Sequence, residues 1–183
     1  MLELLGKVFV YLLFLLYMCV FALTSCFGGA DKSNETSIGT VSDRLGLDVS
    51  AGEVISNRDT HGGWLGDGET IVVIRFSGDG ERAVLADIME QSGWNSLPLT
   101  ENLSTAVYGK VEDNAHRLPF FTDENQDPFL PEIENGYYFF RDRSSESTDP
   151  FDDSQLYTRA SYNFTLAVYD MDQHTLYYFE LDT

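Results

Sequence analysis

Hydrophobic and polar positions divide the chain into three stretches of different character. Val8 to Leu23 form one unbroken apolar run. From Phe27 to Ser42 the chain reads FGGADKSNETSIGTVS, polar, rich in small residues and without an apolar period, which predicts a flexible tether. Beyond Asp43 apolar residues return with periods that predict secondary structure. Residues 53–57 read as a short strand and residues 69–77 (ETIVVIRFS) as a stronger one. Ile71, Val72, Val73 and Ile74 are apolar on both parities, so this second strand is expected to be central and covered on both faces. Over residues 80–92, Val84, Leu85, Ile88 and Met89 share one stripe of an amphipathic helix, with Asp79 as cap and Gly93 as stop. A shorter helix is predicted over residues 101–108, capped by Thr100 and ended by Gly109.

The C-terminal half turns to β. Asn135-Gly136 introduces the strand Tyr137-Tyr138-Phe139-Phe140. Tyr162, Phe164, Leu166 and Val168 then alternate with Asn163, Thr165, Ala167 and Tyr169, the pattern of a half-buried strand. A turn at residues 170–173 leads into a last strand over 175–181. The order β-β-α-(α)-β-β-β predicts an α+β fold: an antiparallel sheet of about five strands with one or two helices packed on one face. The expected organisation is a signal peptide or membrane anchor over 1–25, a tether over 26–42 and a single globular domain over 43–183.

The apolar run spans ~24 Å as a helix, short of a ~30 Å hydrocarbon core, and so suits a signal-peptide core better than a finished span. Leu23-Thr24-Ser25-Cys26 behind it resembles the lipobox of bacterial lipoproteins. The resemblance implies lipidation of Cys26, cleavage before it and a domain tethered on the extracytoplasmic face of the cell membrane. Each buried CH₂ of an acyl chain contributes ~0.8 kcal/mol to such an anchor. Extending the run through Phe27 gives about 20 residues, enough for a retained span, and an ordinary secretory signal is a third alternative. In every case Lys7 stays inside and the domain lies outside. The two cysteines, Cys19 and Cys26, both precede the domain, which therefore folds without a disulfide.

Charge narrows the partners. With 11 Lys+Arg against 30 Asp+Glu the 183-residue chain carries a net charge of −19 at pH 7. Residues 43–183 hold nine of the cations and 27 of the acids, so the excess belongs to the domain. A surface of this sign excludes nucleic-acid binding by phosphate neutralisation. The hydrophobic content of 43% and aromatic content of 14% exclude a disordered acidic tail.

Three segments carry candidate chemistry. The run from Asp59 to Glu69 holds His61, Trp64 and Asp67 among four glycines, and reads either as a ligand-presenting loop or as a wide connection between two strands. Asp149, Asp152 and Asp153 sit in RDRSSESTDPFDDSQL, where carboxylates and hydroxyls suit Ca²⁺ or, as readily, solvated turns; an EF-hand is excluded by its missing glycine and bidentate Glu. Arg141 and Arg143 flank Asp142 there and are placed to pair with acids across the sheet. Asp170, Asp172 and His174 form the third cluster, in a turn. Neither a Gly-x-Ser-x-Gly elbow nor a His-Glu-x-x-His helix occurs, and no cofactor is implied. The expected function is a non-catalytic binding domain with a protein or cell-wall ligand. The alternative is a single-pass protein with a Ca²⁺-binding or carboxylate-based hydrolytic ectodomain.

THGGWLGDGE (60–69), NGYYFFRDRSSESTDPFDDSQL (135–156) and YNFTLAVYDMDQHTLYYFELDT (162–183) resemble segments of a family of small exported or lipoprotein-like domains of Gram-positive bacteria. That resemblance implies export and a single domain, and carries no activity or ligand.

Overall fold

The computed structural model describes residues 37–62, 66–112 and 115–183. The expected lipid attachment at Cys26 and the expected aromatic anchor Trp64 lie outside the described residues. A helix over 37–45 (α1) is followed by strands β1 (Glu53–Asp59) and β2 (Gly68–Arg75) and helix α2 (Asp79–Glu90). Strand β3 (Trp94–Ser96), helix α3 (Glu101–Tyr108) and a small ribbon of β4 (Lys110–Glu112) and β5 (Ala115–Arg117) come next. The chain closes with β6 (Gly136–Asp142), a 3-10 turn at Leu156–Thr158, β7 (Asn163–Asp170) and β8 (Thr175–Asp182). Six strands form one antiparallel sheet in the order β1-β2-β8-β7-β6-β3, with β4 and β5 paired separately. This is the α+β class expected from the pattern.

Both faces of the sheet are covered, not one. Val72 and Ile74 of β2, Tyr178 of β8, Ala167 and Tyr169 of β7 and Phe139 of β6 pack with Val41 and Leu45 of α1 and Val84 and Ile88 of α2. The opposite parity, with Ile71, Phe179, Phe164, Leu166 and Phe140, packs with Leu103, Ala106 and Val107 of α3. Phe121 and Leu130 from irregular segments and Leu156 of the 3-10 turn complete that second layer. Strand β7 is accordingly buried from Phe164 to Asp170, where alternation predicted a half-buried strand. Ala167 and Tyr169 occupy the positions expected to face water, and α1 and α2 supply the cover that water would otherwise provide.

The boundary of the domain also moves. Residues 37–42, read as tether, belong to α1, and Val41 is fully buried. Ile38, Val41 and Leu45 recur at i, i+3 and i+7, one helical stripe that a boundary at Ser42 cuts in two. Helix α3 matches its predicted ends. The Thr100 hydroxyl accepts from the Leu103 N–H (3.2 Å), and Gly109 ends the helix at φ 75°, a conformation costly for other residues. In α2 the cap position is Gly78 instead of Asp79, which is the first helical residue and pairs with Arg82.

A nearly buried ion pair holds the long β6–β7 connection. Arg159 donates through Nη1 and Nη2 to the two carboxylate oxygens of Asp142 (3.1 and 2.6 Å), and Asp142 is 4% exposed. Removing one partner leaves a buried charge uncompensated, whereas replacing both with apolar groups removes the desolvation cost as well. Arg159→Met is therefore expected to lower unfolding free energy by ~3–5 kcal/mol, and Asp142→Leu combined with it to recover most of that loss. Urea denaturation midpoints at constant m-value check both expectations.

Candidate functional site

The apolar face under α1 and α2 ends in a polar row. Asp59, Thr70, Glu180, Thr165 and Arg141 are register partners in turn across β1, β2, β8, β7 and β6. Two residues inward along four of these strands, the next row on the same face is Val72, Tyr178, Ala167 and Phe139. The polar row thus marks where the core gives way to a site.

Charges of alternating sign run along it. His61 Nδ1 lies 2.8 Å from Asp59 Oδ1 and Nε2 lies 3.1 Å from Asp182 Oδ2. Asp182 Oδ2 also accepts from Arg143 Nη2 at 3.0 Å. That same Nη2 stands 3.7 Å from Glu180 Oε1, which pairs with Arg44 Nε of α1 at 3.0 Å. Glu180, only 6% exposed, further accepts from the Thr165 hydroxyl at 3.4 Å. Arg143 Nη2 also donates to the Phe164 carbonyl (3.1 Å), so its side chain is held from several directions. Asn163, with its amide oriented to satisfy both ends, donates to Asp182 Oδ1 at 3.1 Å. Burial, and then the neighbouring Glu180 carboxylate, push the Tyr178 hydroxyl beneath this row far above its ordinary pKa.

Local geometry fixes the histidine. Gly68 opens β2 directly against the His61 backbone, where a Cβ would come within 2.6 Å, so only glycine lets the two segments pack this closely. The His61 N–H donates to Asp59 Oδ1 (2.9 Å), and the Thr70 hydroxyl donates to the same oxygen at 3.3 Å. Thr70 Oγ1 is also 3.1 Å from His61 Nδ1, but Asp59 holds that nitrogen more closely. With a carboxylate at each ring nitrogen the protonated imidazole donates twice, and neither nitrogen keeps a lone pair for a general base.

Beside the row opens a cleft of about 520 Å³ lined by Arg44, Arg141, Arg143, Ser144, Ser147 and Thr165 among others. Arg143 makes the cross-sheet pair expected from sequence. Arg141 does not: it is exposed, and among the described residues no carboxylate pairs with it. A second cleft of about 450 Å³ beyond Asp142 is lined by Glu146, Asp149, Asp152 and Arg159.

The expected metal set does not converge. Asp149 accepts from the Phe151 N–H (3.0 Å) and Asp152 from the Ser154 N–H (2.9 Å), each closing its own turn. Asp153 turns away to accept from the Thr100 hydroxyl of α3. Asp170 likewise accepts from the N–H groups of Asp172 and Gln173 (2.8 and 3.0 Å), while His174 faces Glu81 at 3.3 Å. Among the described residues no three His, Cys, Asp or Glu side chains gather at metal-binding distance. Of the loop expected to bind, His61 joins the polar row, and Asp67 is exposed ahead of β2, outside this chain of contacts. Sequence reasoning missed Arg44, Glu180 and Asp182. The signal for Arg141 and Arg143 was present in the alternation Arg-Asp-Arg, which sets both arginines on one face and Asp142 on the other.

No protein-family model matches the chain, and neither curated proteins nor solved structures yield a match.

Burial by itself would depress the His61 pKa, but its hydrogen bonds to Asp59 and Asp182 and their charges outweigh that effect and raise it above the usual imidazole value. Folding therefore favours the protonated ring. Its contribution to stability is complete below about pH 6.5 and is lost as pH rises through the higher folded-state pKa. NMR titration of the His61 ring should give a pKa above that of a free imidazole, lowered in Asp182→Asn. The stability gap between wild type and His61→Phe should shrink over the same pH interval; a gap that is constant from pH 5 to 9 would contradict the assignment.

Proposed function

We propose that the chain is a membrane-anchored extracytoplasmic lipoprotein whose α+β domain is a non-catalytic binding module, with the arginine-lined cleft as its binding surface. The observation that carries the reading is a lipobox-like Leu23-Thr24-Ser25-Cys26, behind Lys7 and sixteen apolar residues, ahead of a cysteine-free domain. Among the described residues no helix is long and apolar enough to cross a membrane. The anchor in this reading comes from the first 26 residues.

Electrostatics supports a covalent tether. A domain carrying a net charge of −18 over residues 43–183 is repelled by an anionic bilayer and by an anionic cell wall, so adsorption alone does not hold it at the surface. Two observations favour binding over catalysis: His61 is occupied at both nitrogens, and Asp149, Asp152 and Asp153 do not converge. Partners of this reading are the membrane, through the lipid, and a protein or cell-wall ligand at the cleft; nucleic acid is excluded by charge.

Metabolic labelling tests the anchor. Wild-type chain expressed in a Gram-positive host should incorporate labelled palmitate, and Cys26→Ala should incorporate none. Unlabelled wild-type chain that stays in the membrane fraction would contradict lipidation and assign the apolar run to a retained span.

A further inference from the structure

Resting on this binding reading, we propose that the cleft at the end of β6 takes a small ligand bearing an oxyanion, a carboxylate or a phosphate, and that Arg141 is the residue that meets it. The domain holds only nine cationic side chains among 27 acids, yet three of the nine, Arg44, Arg141 and Arg143, line one cleft. In so acidic a chain the expected fate of an arginine is a carboxylate, and the neighbours follow that rule. Arg159 takes Asp142, while Arg44 and Arg143 share Glu180. Asp182 is divided between Arg143 and His61, and His61 has Asp59 as well. Four arginines face three carboxylates, and the one left over is Arg141.

The surrounding groups add further donors to the same cleft. Arg44 pairs with Glu180 through Nε and its side chain remains half exposed. Arg143 is fixed by Asp182 and the Phe164 carbonyl. Ser144 and Ser147 add hydroxyls to the same lining. Guanidinium groups offer paired N–H donors that match carboxylate and phosphate oxygens, and two of these three are already held in place, which lowers the ordering cost of binding. A volume near 520 Å³ falls within the ~300–1,000 Å³ typical of small-molecule sites. The domain's net charge of −18 over residues 43–183 repels polyanions at a distance, which favours a small anion over a charged polymer.

Isothermal titration calorimetry of the full chain in non-ionic detergent tests this, with inorganic phosphate and succinate as separate probes at ionic strength held constant with chloride. Saturable binding of either probe at one site per chain is expected, and the probe that binds more tightly tells a phosphate from a carboxylate ligand. Arg141→Gln should weaken it by at least about tenfold, Arg141→Lys by less, and Arg75→Gln, outside the cleft, not at all. Urea midpoints equal to wild type confirm that the exposed Arg141 variants fold. Failure of both probes to saturate overturns the proposal, as does equal weakening by Arg75→Gln. Palmitate on Cys26 together with absent anion binding would overturn the ligand class and leave the tether standing.

Discussion

A carboxylate buried in the middle of a two-sided sheet must be neutralised where it stands. Glu180 lies on β8 between β2 and β7, with α1 above it, and an unpaired charge there costs several kcal/mol. Its compensation comes from distant parts of the chain: Arg44 on the first helix, Arg143 just beyond β6 and the Thr165 hydroxyl from the neighbouring strand. That requirement sets the position of α1 at the end of the sheet and aims Arg143 inward. The pairing of Arg143 with Asp182 carries the same constraint on to His61 and Asp59 at the far edge. What remains, Arg141 at the mouth of a cleft, is a consequence of how the other charges are used.

The composition of the domain follows the same logic. Eight of its nine cations are arginine and one is lysine, Lys110. A forked guanidinium satisfies several acceptors at once: buried Arg159 grips both oxygens of Asp142, and half-buried Arg58 combines an ion pair to Glu69 (2.8 Å) with a hydrogen bond to the Thr122 carbonyl (2.8 Å). Arg58 also lies over the Phe129 ring, so one side chain ties the edge strand to the irregular segment covering the second face. In a domain this acidic, Arg44, Arg58, Arg143 and Arg159 act as internal fasteners.

Much of the fold was legible in the sequence because it rests on local periodicity. The continuous apolar run Ile71–Ile74 marked β2, alternation marked β7, the turn at residues 170–173 marked the start of β8, and the 3.6 stripe of Val84, Leu85, Ile88 and Met89 marked α2. Thr100 and Gly109 bounded α3 through chemistry confined to a few residues. The rest of the second layer beyond α3 was not legible, since Phe121, Leu130 and Leu156 sit in segments without a period and their burial depends on the sheet they pack against. Strand β7 misled for a related reason: Thr165 and Ala167 look like outward positions until a helix covers them. The site was half visible. The Arg141–Arg143 alternation stood in the sequence, but the pairing of Arg44 with a residue 136 positions later depends on α1 packing over β8, which no local pattern reveals.

The dependence of α1 on Glu180 is the centre of this account, and hydrogen exchange of the Glu180→Gln variant probes it most directly. The amides of α1 that are protected in wild type should exchange at least about tenfold faster, while the interiors of β2 and β8 keep their protection, because local opening is governed by the contacts of each unit. Unchanged protection of α1 would contradict the account.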